Sequence, residues 1–205
     1  MNSSNTLWQL IKHYRISLIL LSLTSLIFFT LGAVPESLYY NKEAISNGEI
    51  WRLVSAHIVH SDLEHLVWNL CALIILSLLI ERESRSLLIA ALLTGIVSIN
   101  YYLWINAIGV INYAGFSGVL NTLLVIALFQ QWQKKSHSIF MHYLPLIIYI
   151  FSLLKIVFEL FYQQMIFTQT SWQAVPQVHL VGFIAGTILA VLRLSTSNYQ
   201  YRLYY

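Results

Sequence analysis

The sequence predicts an all-α membrane protein built as a bundle of six transmembrane helices. Of its 205 residues, 58% are hydrophobic and only 9% are charged, and the mean hydropathy is +0.69. An ordinary soluble domain has roughly 25% charged residues, so a single water-soluble core cannot absorb this much apolar surface. Six apolar stretches have close to the ~20 residues that a helix needs to cross a bilayer. They fill the chain and leave no room for a soluble domain.

The six predicted spans form one membrane domain, residues 16–194, between two short tails, residues 1–15 and 195–205. No small-residue cleavage pattern follows the first span, so we expect it to be retained as a helix and not removed as a signal peptide. Cys71 is the only cysteine, which excludes an intrachain disulfide. The spans are about Ile16 to Val34, Glu64 to Ile80, Ser86 to Ile105, Ser117 to Trp132, Ile139 to Phe161 and Pro176 to Leu194.

Lysine and arginine residues flank alternate ends of the six spans, and this pattern predicts the orientation of the bundle. By the positive-inside rule, the end with more of these residues faces the cytoplasm, so both tails are expected there. The membrane topology is sufficient to explain why these basic residues are present, so no nucleic-acid partner is expected. They are Lys12, Arg15, Arg82, Arg85, Lys134, Lys135, Arg193 and Arg202. The outer end receives three loops, Pro35 to Leu63, Asn106 to Phe116 and Tyr162 to Val175. These loops have only Lys42 and Arg52.

Ser117 begins the fourth span, which is short for a membrane helix. Its 16 residues rise about 24 Å, against a hydrocarbon core of about 30 Å. The backbone before Ser117 is then irregular at membrane depth, which is tolerated only inside protein or beside a water-filled cavity. We expect a sunken, water-filled pocket, with free backbone N–H groups and the positive end of the helix dipole beside the hydroxyl. The alternative is that Ser117 only caps the helix between Gly115 and Gly118.

His65 and Asn69 lie four residues apart on the second span and so project from one helix face. Polar side chains in a span usually face the bundle interior, where this pair has the hydrogen-bond donors that an oxyanion requires. The alternative is a pair of interhelical hydrogen bonds that serve packing. His57 and His60 lie just upstream, but no carboxylate or cysteine is clearly placed to complete the four ligands of a closed zinc site. We therefore expect no metal.

His179 is followed on the sixth span by Gly182 and Gly186, a spacing typical of a G-x-x-x-G packing surface. These glycines allow the sixth span to approach the helix that begins at Ser117, which brings imidazole and hydroxyl within hydrogen-bond reach. A histidine followed by small residues is, taken alone, more often a packing feature. Together with a serine and paired donors, it indicates hydrolysis inside a membrane.

Four separated motifs between about Trp51 and Val191 carry a family resemblance. They are Trp51-Arg52 with His60, His65-x-x-x-Asn69, Gly115-Phe116-Ser117-Gly118 and His179-x-x-Gly182-x-x-x-Gly186. In order, spacing and helix assignment they resemble the rhomboid intramembrane serine proteases. The small six-helix build and the sequence from Trp51 to His60 are most similar to the rhombosortase branch.

This resemblance implies a function and a set of site residues. Ser117 is expected to be the nucleophile and His179 its general base, while His65, Asn69 and backbone N–H groups near Ser117 form the oxyanion hole. His60 is expected to be structural, and no cofactor is expected. The implied partners are the lipid bilayer and membrane-anchored protein substrates. For the rhombosortase branch these are exported bacterial proteins with a C-terminal Gly-Gly motif, a membrane helix and basic residues, which implies the bacterial inner membrane and a site open to the periplasm.

Two positions depart from the pattern of many rhomboids. Thr122 stands where many have a glycine, so the fourth span is expected to pack less closely there. Asn121 stands where many have an aromatic residue that supports the histidine. One helical turn from Ser117, Asn121 is expected to hydrogen-bond His179 and select its tautomer, as orienting groups do in triads. No aspartate is available for that role, so the expected catalytic unit is a Ser–His dyad.

Three other interpretations remain from the sequence. The first is a general rhomboid protease with other single-span substrates. The second is an inactive rhomboid-like protein that binds membrane helices, although such proteins usually lack the serine or the histidine. The third is a transporter that relays protons through intramembrane histidines, Lys155 and Glu159. The spans show no obvious repeat of the kind that transporters often carry, and Lys155 with Glu159 is more simply a partly interfacial ion pair.

Overall fold

The computed structural model describes residues 3–105, 110, 112–134, 138–166, 172 and 175–203. Within these ranges, two short strands and nine helices are present. The strands are β1 (Tyr40–Asn41) and β2 (Asn112–Tyr113). The helices are α1 (Ser3–His13), α2 (Arg15–Leu31), α3 (Lys42–Ser46), α4 (Arg52–Ser55), α5 (Leu63–Glu83), α6 (Arg85–Ile105), α7 (Ser117–Trp132), α8 (Ile139–Tyr162) and α9 (Gln177–Leu203).

The six predicted spans correspond to α2 and to α5 through α9, which confirms the all-α membrane bundle. Helices α5, α6 and α8 and residues 177–194 of α9 are long and apolar enough to cross a membrane, with mean hydropathies of 1.7 to 2.1. Helices α2 and α7 are shorter, with 17 and 16 residues. Helix α2 ends at Leu31 and not at Val34, because Gly32 has a φ of 81° and leaves the helical conformation. The predicted N-terminal tail contains α1, and α9 continues into the predicted C-terminal tail.

Helix α7 is the central helix of the bundle. It packs against α5, α6, α8 and α9, and 10 of its 16 residues are buried. Its sequence is apolar on every side, which is the pattern of a helix surrounded by protein. The short helix that begins at Ser117 is therefore enclosed by its neighbours.

Glycines bring α9 against α7, as the G-x-x-x-G spacing predicts. A Cβ atom at Gly182 would collide with the carbonyl oxygen of Gly118, and one at Gly186 would lie 2.9 Å from the carbonyl oxygen of Thr122. The two backbones are therefore in direct contact, which fixes the separation of the helices.

The expectation that α7 packs loosely at Thr122 is wrong. Thr122 is fully buried, and its hydroxyl donates to the carbonyl oxygen of Gly182 at 2.8 Å. A Cβ at Gly95 of α6 would lie 2.9 Å from the Thr122 hydroxyl oxygen. Glycines on the two neighbouring helices therefore provide the space that the threonine occupies.

The loop between α2 and α5 is held in place by Arg52. Arg52 is buried, and its guanidinium donates to the carbonyl oxygens of Glu36 at 2.6 Å and Tyr39 at 2.8 Å. The Trp51 indole donates to the carbonyl oxygen of Ser37 at 3.0 Å. Strand β1 pairs antiparallel with β2, which joins this loop to the segment that leads into α7.

Glu81 joins α5 to α2 at the opposite end of the bundle. Its carboxylate is buried and accepts hydrogen bonds from the backbone N–H and the hydroxyl of Ser17, at 2.8 and 2.6 Å. Arg85 forms an ion pair with it at 3.1 Å. This buried carboxylate joins two helices and is remote from Ser117.

We predict that Gly182→Ala lowers the thermal stability of the purified protein in detergent, because overpacking of a filled contact costs about 1–3 kcal/mol. The same helix provides a control in Ile184→Ala, since Ile184 is exposed and such changes are usually within about 0.5 kcal/mol. Differential scanning fluorimetry measures both. A melting temperature of Gly182→Ala equal to that of the wild type would contradict the contact.

Candidate active site

Ser117 is the first residue of α7, and its hydroxyl lies beside a histidine. The hydroxyl oxygen is 2.9 Å from Nε2 of His179 on α9. The residue at the N-cap position is Phe116, and no side chain caps the helix. The alternative in which Ser117 only caps α7 is therefore not what the structure contains.

His179 is buried, and both of its ring nitrogens have partners. Nδ1 lies 2.9 Å from Oε2 of Glu159 on α8. An ionised carboxylate can only accept, so the imidazole Nδ1–H donates to it, and in the neutral ring Nε2 is left as the acceptor for the Ser117 hydroxyl. This tautomer is the one in which a histidine can take a proton from a serine.

Glu159 is fully buried, and both of its oxygens are used. Oε1 accepts from the Lys155 ammonium at 2.8 Å and from the backbone N–H of Ile166 at 3.0 Å. The predicted ion pair with Lys155 is therefore present. The carboxylate is fully buried, however, and contacts His179 of α9 as well as Lys155.

The structure corrects the expected role of Asn121. Its amide donates to the carbonyl oxygen of Ser117 at 2.9 Å, within the same helix, while the Nδ1 position of His179 is taken by Glu159. A dyad without a carboxylate was expected because the sequence has no suitable aspartate, and a glutamate occupies that place. One signal in the sequence pointed to it, since Glu159 is the only acidic residue after Glu83 and ionisable residues in a span are expensive and usually functional.

His65 and Asn69 lie on one face of α5, as their spacing predicts, and both are buried. Nδ1 of His65 is 3.1 Å from the hydroxyl oxygen of Ser61. The amide nitrogen of Asn69 has no hydrogen-bond partner among the described residues. A buried donor without a partner is rare in folded proteins, and Asn69 lines the same cavity as Ser117.

Gly115 allows the segment before α7 to lie directly on the His65 ring. Its φ is +132°, which favours glycine, and a Cβ atom there would lie 2.7 Å from Cε1 of His65. Its carbonyl oxygen accepts from the Tyr113 hydroxyl at 2.7 Å, and its N–H donates to the carbonyl oxygen of Ala56 at 2.9 Å. These contacts hold His65 close to the start of α7.

His57 and His60 are buried in the loop before α5, and neither ring has a hydrogen-bond partner among the described residues. Burial lowers the pKa of His57 to about 4 and the pKa of His60 to about 3, so both rings are neutral at pH 7. The His60 and His65 ring centroids are 5.0 Å apart. The described ranges contain no group of three or more His, Cys, Asp or Glu residues placed to hold a metal ion.

A cavity of about 370 Å³ opens at the start of α7, where the sequence predicts a pocket. Helices α5, α7, α8 and α9 all contribute to its walls. The polar side chains Ser117, His179, His65 and Asn69 line it together with apolar residues such as Trp68 and Leu120. An apolar cavity with a few convergent polar groups is typical of a substrate-binding site.

The chain matches the model of a known protein family. A family model described as Rhomboid domain matches residues 47–196, which is well over half of the chain and includes the whole Ser117, His179, His65 and Asn69 constellation. No curated protein matches the chain significantly.

The neutral His57 ring predicts a pH dependence of stability. Its pKa falls from 6.5 to about 4 on folding, so the unfolded chain binds the proton more readily. His57 alone should therefore lower the free energy of unfolding by about 3 kcal/mol as the pH drops from 6.5 to 4. His60, whose pKa falls to about 3, adds a further loss that continues below pH 4. Equilibrium unfolding in detergent, followed by tryptophan fluorescence, measures this.

His57→Phe removes this titration and should reduce the loss of stability by that amount. His13→Gln changes an exposed histidine and should leave the pH dependence unaltered. Identical slopes for His57→Phe and the wild type would contradict the assignment.

Proposed function

The chain belongs to the rhomboid family, a family of intramembrane proteases, and on that premise we propose that it is a serine endopeptidase that cleaves membrane-anchored proteins. Ser117 is the nucleophile and His179 the general base. The observation that carries the proposal is the 2.9 Å contact between the Ser117 hydroxyl and Nε2 of His179, inside a cavity walled by membrane helices.

The geometry supports a two-step acyl transfer. The Ser117 oxygen attacks the carbonyl carbon of the scissile peptide, and its proton passes to Nε2 of His179. The resulting imidazolium gives that proton to the leaving amine as the peptide C–N bond breaks. Water then attacks the acyl-serine with the same histidine as base, which releases the new carboxylate and restores the serine hydroxyl.

The oxyanion of this reaction would be bound by His65, Asn69 and backbone N–H groups at the start of α7. The unpaired amide nitrogen of Asn69 supports this role, because a donor without a partner in the free protein is available to an oxygen that appears in the transition state. His65 lines the same cavity. Helix α7 also directs its free N–H groups and the positive end of its dipole towards that point.

The proposed substrates are exported proteins with a C-terminal Gly-Gly-type sorting helix, as in rhombosortases. The support is the resemblance of the segment from Trp51 to His60 and the small size of the chain. A general rhomboid activity on other single-span proteins is the alternative, and paired reporters with and without the Gly-Gly motif distinguish the two. An inactive helix-binding protein is disfavoured because the Ser117–His179 contact is intact.

The proposed location is the bacterial inner membrane, with the active site open to the periplasm. Residues 16–194 form the membrane domain, and residues 1–15 and 195–205 are cytoplasmic. The support is the distribution of lysine and arginine along the chain.

We predict that Ser117→Ala and His179→Ala each abolish cleavage of a membrane-anchored reporter in proteoliposomes, because each removes one member of a single catalytic unit. Ser77→Ala is the control, since Ser77 is a buried serine about two turns further along α5 from Asn69. Its activity should stay close to that of the wild type. Wild-type cleavage by folded Ser117→Ala would refute the proposed function.

His65→Ala and Asn69→Ala should lower kcat by about 10²–10³ with a smaller effect on KM, because an oxyanion donor acts mainly in the transition state. The double variant should lose less than the product of the two single effects, since both donors serve one oxygen. Steady-state kinetics on the same reporter measure all three. Normal turnover in both single variants would show that the pair is structural.

A further inference from the structure

We propose that Glu159 is the positioning residue of the site, so that Ser117, His179 and Glu159 act together as a triad. This inference rests on the proposed function. Two consecutive contacts of 2.9 Å connect the Ser117 hydroxyl to Nε2 of His179 and Nδ1 of His179 to the Glu159 carboxylate. A carboxylate at Nδ1 holds the imidazole in one orientation and one tautomer, which leaves Nε2 free to accept the serine proton.

The Glu159 carboxylate also stabilises the positive charge that develops on the His179 ring during the reaction. When Nε2 takes the serine proton, the ring becomes an imidazolium and gains a direct ion pair with Glu159. The proton on Nδ1 stays on the ring, and Glu159 stays ionised throughout. The stabilisation therefore appears with the transition state and is weaker in the resting enzyme, which is the requirement for a faster chemical step.

The partners of Glu159 keep the buried carboxylate ionised. Burying a carboxylate without partners is costly, and Glu159 is fully buried. The Lys155 ammonium and the Ile166 N–H occupy Oε1, so Oε2 is left to His179. Lys155 is 25% exposed in its side chain, which places the compensating charge at the edge of the cavity.

A purely structural role for Glu159 is the competing explanation. Of the 18-residue apolar stretch of α8, 17% is buried inside the protein, against 33% to 39% of the corresponding stretches of the other three candidate spans. Its buried side chains are Pro145, Ile156 and Glu159. The contact with His179 therefore also attaches α8 to α9, and an informative experiment must separate attachment of the helix from positioning of the imidazole.

The test combines kinetics with the tautomer of His179. The wild type, Glu159→Gln and Glu159→Asp are labelled with ¹⁵N-histidine, and the ring nitrogens are observed by NMR in detergent, with His179→Gln to assign the signal. In the wild type we expect the proton on Nδ1 and an unprotonated Nε2. Glu159→Gln should lose this preference and lower kcat by about 10²–10⁴, as the removal of a triad carboxylate does, with KM changed less than about threefold.

Conservative variants make the result specific. Glu159→Asp keeps the charge but is shorter by one methylene. Its kcat should be at least about tenfold higher than that of Glu159→Gln, and it should retain the proton on Nδ1 of His179. Lys155→Met keeps the carboxylate and should have a smaller effect on kcat than Glu159→Gln. If Glu159→Gln does not fold, the wild-type spectrum decides, because a neutral His179 ring with its proton on Nε2 would overturn the proposal.

The matched control is Glu81→Gln, which removes a buried carboxylate at the opposite end of the bundle. It should lower the melting temperature but leave the kcat of the folded protein and the His179 tautomer unaltered. Wild-type kcat and tautomer in Glu159→Gln, together with an inactive Ser117→Ala, would overturn the role of Glu159 and leave the proposed function standing. An active Ser117→Ala would overturn the proposed function itself.

Discussion

The backbone contact between α7 and α9 is the constraint on which the candidate site depends. Ser117 is adjacent to Gly118, and His179 lies one helical turn before Gly182, so the contact that joins these glycines also sets the distance from hydroxyl to imidazole. A Cβ atom at Gly118 would lie 2.7 Å from Cδ1 of Ile99 and 3.1 Å from the carbonyl oxygen of Val178. Larger residues at either glycine would separate the helices and lengthen the 2.9 Å contact. Close packing of small residues, which drives helix association in membranes, is here also a means of positioning a reactive pair.

Polar groups are costly inside a bundle of membrane helices, and the contacts of Glu159 show how this protein accommodates them. The carboxylate joins α8 to His179 of α9 and is neutralised by Lys155 on its own helix. A further polar contact between the same helices joins the hydroxyls of Tyr149 and Thr187 at 3.1 Å. Hydrogen bonds therefore supplement limited apolar burial where α8 meets the bundle, and one of them reaches the site.

The sequence was sufficient to predict the features that depend on composition and on spacing within one helix. Hydropathy located the six spans, and the glycines after His179 indicated which helix it packs against. The partner of His179 was not predictable in this way, because helical periodicity relates Asn121 to Ser117 but says nothing about how α8 is rotated against α9. From the sequence, Glu159 was therefore interpreted only as the ion-pair partner of Lys155. Tight packing at Thr122 was missed for the same reason, since the space comes from glycines on two other helices.

Covalent labelling shows whether His179 activates Ser117 as a nucleophile. The purified protein is treated with a fluorophosphonate, which phosphonylates activated serines, and the modified residue is mapped by mass spectrometry. We expect a single adduct on Ser117 in the wild type and a large loss of labelling rate in His179→Ala. Labelling of a different serine, or of Ser117 at the same rate without His179, would contradict it.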